Sequence, residues 1–275
     1  MSAVRAALTV AGSDSGGGAG IQADLRTFAA FGVYGASAVT AVTAQNTTGL
    51  TDALALPADL VTAQIETVAA DLRLDATKIG MLATAAIAEA VAAAIAALDL
   101  PSVVLDPVLA SSGGERLLDV DGIQTLIVEL LPRARVITPN IPEAEALSGR
   151  RIGSLDDRRR AAERLCRMGA AAVVITGGHD PGLSGSDPGD VVDLLFDGES
   201  FVELRTARIR IGPGGVHGTG CTFASALAAG LARGDPLPAA AARAQRYVAG
   251  AIAHGLAVGS GARVLHHFWQ AALGR

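Results

Sequence analysis

The feature that most constrains the fold is a regular alternation of short β-branched runs with longer helical segments rich in Ala and Leu. Such alternation is typical of an α/β protein whose mostly parallel sheet is covered by helices on both faces. The predicted strands are Ala6–Ala11, Tyr34–Thr43, Thr77–Leu82, Ser102–Val108, Arg135–Pro139 and Ala171–Gly177. The predicted helices are Gly20–Phe31, Ala58–Leu72, Thr84–Leu98, Gly122–Leu131, Glu143–Ser148 and Leu155–Met168.

The pattern changes in the C-terminal third of the chain. Two strand-like runs, Val191–Phe196 and Phe201–Ile211, are separated by the tetrapeptide DGES, and Asp-Gly is a hairpin signal. We therefore expect the sheet to end in an antiparallel pair. Two further helices are predicted after it, at Gly220–Ala232 and Pro238–His254.

Neither a repeat nor a linker divides the chain, so we expect one domain over residues 1–275. The segment Asp180–Asp190 is the one stretch with the composition of a flexible loop. It is either a lid over a site or a plain solvent-exposed loop.

The composition excludes several classes of protein. Half of the residues are hydrophobic, which excludes a disordered chain, and a net charge of −5 argues against nucleic-acid binding. Two cysteines, Cys166 and Cys221, cannot provide a disulfide framework for 275 residues. Lysine occurs once, at Lys78, so chemistry that uses a lysine must find it there or do without.

A mean hydropathy of +0.41 is high and requires a test for membrane spans. The longest apolar stretch, Leu82–Leu98, contains Glu89 and is mostly alanine; it is shorter than the roughly 20 strongly apolar residues of a span. The run Ala6–Ala11 is too short for the apolar region of a signal peptide. We therefore expect a cytoplasmic protein that does not contact a membrane, which agrees with its unpaired cysteines.

Two glycine-rich turns precede predicted helices, where backbone N–H groups favour anions. The turn Gly12–Gly20 fits neither the dinucleotide fingerprint nor the lysine-containing phosphate loop, and is either a flexible turn or the wall of a ligand site. The turn Gly218–Cys221 has a cysteine where a helix dipole lowers the pKa of a thiol. Cys221 is therefore a candidate nucleophile or base. The alternative for Cys221 is a small buried apolar side chain, and this is the interpretation that we adopt for Cys166.

Polar residues lie at or just after the ends of three predicted strands, at the edge where ligands bind in sheets of this kind. Asp106 is a candidate metal or phosphate ligand, or else part of an Asp-Pro turn. Asn140 and Glu143 are either a helix cap or, beside Asp106, part of a magnesium site. The tetrapeptide Thr176–His179 could line phosphates.

Two residues could bind a flat heterocycle. The amide of Gln45 offers an acceptor and paired donors to a ring edge with amino and ring-nitrogen groups. Met81 could stack on the ring with its soft thioether. The alternatives are a polar turn for Gln45 and a core position for Met81.

Together these motifs resemble those of the hydroxymethylpyrimidine/phosphomethylpyrimidine kinases of thiamine biosynthesis, a branch of the ribokinase-like superfamily. The resemblance covers nearly the whole chain in collinear order. The segments that carry it are Ala11–Asp24, Thr43–Thr47, Lys78–Leu82, Asp106–Val108, Thr138–Glu145, Gly177–His179, His217–Ala226 and Val264–Phe268.

The resemblance implies a ribokinase-like fold, a homodimer, and a kinase that uses ATP and Mg²⁺. Its substrate would be 4-amino-5-hydroxymethyl-2-methylpyrimidine, which the enzyme phosphorylates to the monophosphate and then to the diphosphate. The residues implied to surround the pyrimidine are Gln45, Gly12, Asp24, Met81 and Val108.

The remaining implied site residues serve the phosphates. Those near the nucleotide are Asn140, Thr176, Gly177 and Gly218, with Asp106 and Glu143 on magnesium. The amides of Gly218, Thr219 and Gly220 would neutralise charge on the transferred phosphoryl group. Cys221 takes the place of the Asp general base of the sugar kinases, as an activated thiol that accepts the hydroxymethyl proton.

Members of this family commonly have a lysine where this chain has Thr176, so the transferred phosphoryl group lacks one cationic partner. Lys78 cannot be assumed to replace it. Two alternatives follow from the same motifs: a pyridoxal or pyridoxine kinase, and a catalytically weakened pyrimidine-binding regulatory protein. Gln45 and Met81 favour the aminopyrimidine, and the failed dinucleotide fingerprint argues against an oxidoreductase.

Overall fold

The computed structural model describes residues 4–111, 113–178, 189–212 and 214–272. Its largest element is a nine-stranded sheet with the strand order β3-β2-β1-β4-β5-β6-β7-β8-β9. These strands are β1 (Ala6–Asp14), β2 (Tyr34–Asn46), β3 (Gly49–Ala55), β4 (Ala76–Ile79), β5 (Val103–Leu105), β6 (Val136–Ile137), β7 (Val173–Ile175), β8 (Asp190–Phe196) and β9 (Phe201–Ala207). A small parallel pair is formed by β10 (Val216–His217) and β11 (Arg263–Val264).

The helices of the described residues alternate with the strands as predicted. They are α1 (Gly20–Ala30), α2 (Ala58–Asp71), α3 (Ala85–Leu98), α4 (Val120–Thr125), α5 (Ile141–Ser148), α6 (Leu155–Arg167), α7 (Thr219–Ala232), α8 (Leu237–Ala253) and α9 (Trp269–Ala272). The predicted helix Gly122–Leu131 differs: after α4 the chain forms a π turn at Leu126–Leu130 and a 3₁₀ turn at Leu131–Arg133, which contains Pro132. No helix of the described residues is long and apolar enough to cross a membrane.

The α/β prediction is confirmed. The six central strands, from β2 to β7 in the spatial order, pair in parallel. Beyond β7, β8 and β9 run antiparallel and are joined at the predicted Asp-Gly turn. The other edge strand, β3, pairs antiparallel to β2 and was not predicted, because its sequence GLTDALA is poor in β-branched residues and mostly exposed.

Each face of the sheet is covered by its own apolar layer. Side chains alternate along the strands, so that in β1 Leu8 and Val10 join one cluster while Ala7 joins the other. The first cluster contains α3 and α6, and the second contains α7 and α8. Helix α7 is buried along nearly its whole length and consists mostly of small residues, which lets it lie close to the centre of the sheet.

Strands β4, β5, β6 and β7 are shorter than predicted, and this leaves polar residues at their carboxyl ends outside the ladders. Asp106 follows β5, Asn140 follows β6 after two residues, and Thr176 follows β7 directly. Helix α7 begins at the same edge: a Cβ at Gly220 would lie 3.9 Å from Oδ1 of Asp106. The predicted loop Asp180–Asp190 lies almost entirely outside the described residues.

Candidate active site

Neighbouring strand ends bring the predicted phosphate-side residues together. Asn140 and Thr176 form an isolated parallel bridge, and the N–H of Thr176 donates to the carbonyl of Pro139 at 3.0 Å. The N–H of Asp106 donates to the carbonyl of Ile79 at 2.9 Å, which fixes the backbone at the end of β5. Asp106, Asn140 and Thr176 therefore occupy adjacent positions along one edge of the sheet, as the sequence predicts.

Asp106 is buried beside a lysine. Its side chain is 5% exposed, and its Oδ2 lies 3.9 Å from Nζ of Lys78. This Oδ2 accepts no hydrogen bond from the residues that the structure describes. Burial raises the pKa of the Asp106 carboxyl, although Lys78 opposes this rise.

Asn140 and Glu143 form a complete capping box at the start of α5. The N–H of Glu143 donates to Oδ1 of Asn140 at 2.9 Å, and the N–H of Asn140 donates to Oε2 of Glu143 at 2.9 Å. The cap interpretation is thus correct. It does not exclude a second role, because burial, followed by the nearby charge of Asp106, raises the pKa of Glu143.

The environment of Asp106 and Glu143 fits a divalent cation. Two buried carboxyl groups repel each other, and Oδ2 of Asp106 lacks a hydrogen-bond donor among the described residues. Mg²⁺ in phosphate sites uses one or two carboxylates together with water and substrate oxygens. Among the described residues no group of three or more His, Cys, Asp or Glu side chains forms a complete metal cage. The residues therefore suit a cation that arrives with a phosphate.

The glycines before α7 bring two loops into contact. Gly218 has a φ of +88°, and a Cβ there would lie 1.9 Å from the carbonyl oxygen of Gly18. Position 218 thus requires glycine for both its backbone conformation and its close approach. The first-turn N–H groups of Thr219, Gly220 and Cys221 have no i−4 partner within the helix and suit an anion.

Cys221, the predicted base, lies beside charged groups at the start of α7. Burial raises the pKa of its thiol to about 12. Lys78 lowers this pKa, whereas the carboxylates of Asp106 and Asp24 raise it further. Cys166 is partly buried on α6, and burial also raises the pKa of its thiol.

Gly177, a predicted nucleotide contact, lies two residues beyond β7. Its N–H donates to Oδ1 of Asp193 at 2.7 Å, and a Cβ would lie 2.2 Å from the carbonyl oxygen of Val192. The glycine thus packs against β8, and its amide is already used within the protein. Thr176 is partly exposed at the strand end. His179 lies outside the described residues.

Gly12 and Met81 adjoin at the ends of β1 and β4. A Cβ on Gly12 would lie 3.0 Å from Sδ of Met81, so a larger residue would displace the thioether. Val108 is likewise partly exposed, three residues beyond β5. These three predicted pyrimidine contacts lie at the carboxyl edge of the sheet.

Gln45 lies within β2, not after it, and its side chain belongs to a polar network. Its Nε2 is 2.9 Å from Nε2 of His217, which in turn is 3.2 Å from Oδ2 of Asp14. The Asp14 carboxylate also accepts from the amides of Gly16, Gly18 and Ala19. Burial alone would raise the pKa of Asp14, but hydrogen bonds from His217 and these amides lower it. The network ties Gln45 to both glycine-rich turns.

Asp24, which is predicted to lie beside the pyrimidine, is hydrogen-bonded inside the protein. It is fully buried. One oxygen accepts from Thr9 at 2.6 Å and from Lys78 at 3.0 Å, and the other accepts from Ser225 at 2.6 Å. Asp24 thus connects β1, Lys78 and α7 beneath the glycine-rich turns.

Sequence reasoning missed Lys78 and His217 as members of the site. Each had a visible signal: Lys78 is the single lysine, and His217 directly precedes the turn Gly218–Cys221. What the sequence lacked was the pairing of β1 with β4, which places Lys78 next to Thr9 in register and close to Asp24.

Comparisons with known proteins identify the family of this chain. A model of the phosphomethylpyrimidine kinase family matches residues 14–266. The hydroxymethylpyrimidine/phosphomethylpyrimidine kinase of Bacillus subtilis is 48% identical over 262 residues, which cover 95% of this chain and 94% of the relative.

Two solved structures are also similar. One is an ADP complex of Bacillus subtilis pyridoxal kinase, with a TM-score of 0.87, 36% identity, and coverage of 98% of this chain and 100% of that chain. The other is phosphomethylpyrimidine kinase from Clostridium difficile, with a TM-score of 0.77, 38% identity, and coverage of 89% and 98%. On the extent of the family match and the 48% identity, this chain belongs to the phosphomethylpyrimidine kinase family.

Proposed function

We propose that this chain is an ATP-dependent kinase that phosphorylates 4-amino-5-hydroxymethyl-2-methylpyrimidine and then its monophosphate. The observation that carries the proposal is the position of the buried carboxylate Asp106 against the glycine-rich start of α7. The Asp106 carboxylate would bind the cation, and the N–H groups at the start of α7 would bind the same phosphate. Relatives named for both phosphorylation steps support it.

Asp106 and Glu143 are the residues that would hold Mg²⁺, and Asn140 fixes Glu143 through the capping box. The cation would neutralise charge on the nucleotide phosphates. The amides of Gly218, Thr219 and Gly220 would stabilise the charge that develops on the transferred phosphoryl group. They can do so effectively because they are oriented before the reaction begins. Phosphoryl transfer needs mainly positioning and such electrostatic stabilisation.

Cys221 would contact the hydroxymethyl group of the substrate as a neutral thiol. Its raised pKa makes it a poor resting base, so its contribution is to orient the hydroxyl. A hydrogen bond with this thiol lowers the pKa of Asp106, which connects the two residues.

Gln45 would bind the amino and ring-nitrogen edge of the pyrimidine, with Met81, Gly12 and Val108 beside the ring. The contact with His217 holds the amide of Gln45 in one rotamer before the ligand arrives. Thr176, at the end of β7, would lie near the nucleotide phosphates.

Pyridoxal kinase is the second candidate, and the structural similarity to the Bacillus subtilis pyridoxal kinase favours it. The two substrates differ at the ring edge that faces Gln45. An aminopyrimidine presents a donor and an acceptor, which match the two ends of an amide, and this favours the pyrimidine.

The proposal is tested by incubating purified protein with MgATP and the hydroxymethylpyrimidine and following the products by mass spectrometry. The monophosphate should appear first and the diphosphate later. Asp106→Asn is the matched control, because it removes the cation ligand without changing the size of the side chain. Absence of both products from the unsubstituted protein would contradict the proposal.

We further propose that residues 1–275 act as one domain, and that the enzyme is a cytoplasmic homodimer. The continuous sheet from β3 to β9 supports the first point. Sedimentation equilibrium tests the dimer: a mass of twice 27.6 kDa is expected, and the monomer mass at all concentrations would contradict it.

A further inference from the structure

Lys78 is a fully buried cation beneath the phosphate side of the site. Its side chain has no solvent exposure, and its Nζ lies 3.0 Å from Oδ2 of Asp24 and 3.9 Å from Oδ2 of Asp106. The amine is too deeply buried to reach a nucleotide phosphate. Any effect that it has on the reaction must pass through its neighbours.

The space around the amine depends on a glycine. A Cβ at Gly80 would lie 2.6 Å from Nζ of Lys78 and 2.9 Å from Cβ of Ala11. The segment after β4 therefore leaves room for the amine only without a side chain at position 80. The backbone at Gly80 thus accommodates the amine of Lys78.

The two carboxylates that face Lys78 differ in the number of hydrogen-bond donors around them. Asp24 receives hydrogen bonds from Thr9 and Ser225 in addition to Lys78, so its two oxygens are well supplied. Asp106 has no donor to Oδ2 among the described residues, and Lys78 is the cation that lies next to that atom. A buried carboxylate without a nearby cation moves or takes up a proton.

We propose that Lys78 is a positioning residue for phosphoryl transfer, whose fixed charge holds the Asp106 carboxylate at the end of β5 facing the start of α7. The proposal rests on the proposed function of Asp106 as a cation ligand. Lys78 would thus act differently from the lysine that the family commonly has at position 176. Its charge would affect the phosphate only through the Asp106 carboxylate and without direct contact.

The test compares the unsubstituted protein with Asp24→Asn/Lys78→Met, which replaces the buried pair by neutral side chains of similar size. Lys78→Met alone leaves Asp24 buried without its cation and is expected to melt at a lower temperature. The double variant avoids this defect, and its thermal unfolding midpoint is the control for folding. The pair together carries no net charge, so the variant also keeps the net charge of the site.

The readout is the calorimetric affinity for the non-hydrolysable nucleotide AMP-PCP, with and without Mg²⁺. In the unsubstituted protein Mg²⁺ should tighten binding, and in the double variant this gain should fall by about tenfold or more. Affinity without Mg²⁺ should stay within about threefold, because Lys78 does not contact the nucleotide. A purely structural lysine would lower both affinities together or neither.

An unchanged Mg²⁺ gain in a folded double variant would overturn the inference, as would the absence of any gain in the unsubstituted protein. Failure of the proposed function looks different. In that case the unsubstituted protein turns over no pyrimidine, while the gain from Mg²⁺ and its dependence on Lys78 remain.

Discussion

The surroundings of Cys221 act against a thiolate at the start of α7. Burial raises the pKa of the thiol to about 12, and the charges of Asp106 and Asp24 act in the same direction, although Lys78 opposes them. A thiolate general base would contribute about 10²–10⁴ in rate, whereas a neutral group that orients a hydroxyl contributes less.

Cys221→Ser should therefore retain kcat within about tenfold of the unsubstituted enzyme, since a serine hydroxyl is also neutral and can make the same contact. Steady-state kinetics with the hydroxymethylpyrimidine provide the measurement. A loss of about a hundredfold or more would restore the thiolate mechanism.

At the scale of single elements, α5 shows how one cap can serve both folding and binding. Asn140→Ala removes the side-chain half of the capping box and should cost about 1 kcal/mol of unfolding free energy. It should also raise the KM for ATP, because Glu143 loses its fixed position. Ser154→Ala is the matched control: Ser154 caps α6 in the same way, through the N–H of Asp157.

The control should lose similar stability in a denaturant titration and leave the KM for ATP unchanged. Equal KM values for Asn140→Ala and Ser154→Ala would show that Asn140 is a cap and nothing more.

The end of β7 provides a second prediction at this scale. Thr176 is partly exposed beside Asn140, at the position where the family commonly has lysine. Thr176→Lys should raise kcat by up to about tenfold, because it adds a charge-assisted contact to the transferred phosphoryl group. Thr176→Met, similar in length but uncharged, should not. An equal or slower rate for the lysine variant would contradict this expectation.

Local sequence patterns predict most of the elements of this fold, but not all of its site features. The helices and the parallel strands were predictable because buried apolar periodicity is local, and the strand-end residues Asp106, Asn140 and Thr176 followed from topology. Edge strand β3 was not, since an exposed strand carries little apolar signal. The pKa of Cys221 and the burial of Asp24 depend on contacts across distant strands and helices, which no local pattern encodes.

For the whole molecule, the buried carboxyl groups predict a dependence of stability on pH. Burial raises the pKa of Glu143 to about 8 from 4.5 in the unfolded chain, so the folded state binds more protons in this interval. Stability from this group is complete below the unfolded value and is lost as pH rises through the folded one. Burial lowers the pKa of His267 to about 4, so this group changes the stability only below about pH 6.5.

Between about pH 6.5 and 8 the unfolding midpoint should therefore fall, and Mg²⁺ with nucleotide should stabilise most at the upper end, where Glu143 is ionised. Differential scanning fluorimetry measures both effects. In Glu143→Gln the fall should be much smaller. A Mg²⁺ effect that is stronger at the acidic end would contradict the assignment of this carboxylate.

Phosphorylation of an aminopyrimidine is the activity that we propose for this site. The most direct measurement is kcat/KM for the hydroxymethylpyrimidine, its monophosphate and pyridoxal, determined side by side on one preparation with MgATP. We predict that both pyrimidines are turned over and that the hydroxymethylpyrimidine exceeds pyridoxal by about tenfold or more, because the Gln45 amide matches only the aminopyrimidine edge. A higher kcat/KM for pyridoxal, or no turnover of either pyrimidine, would contradict the account.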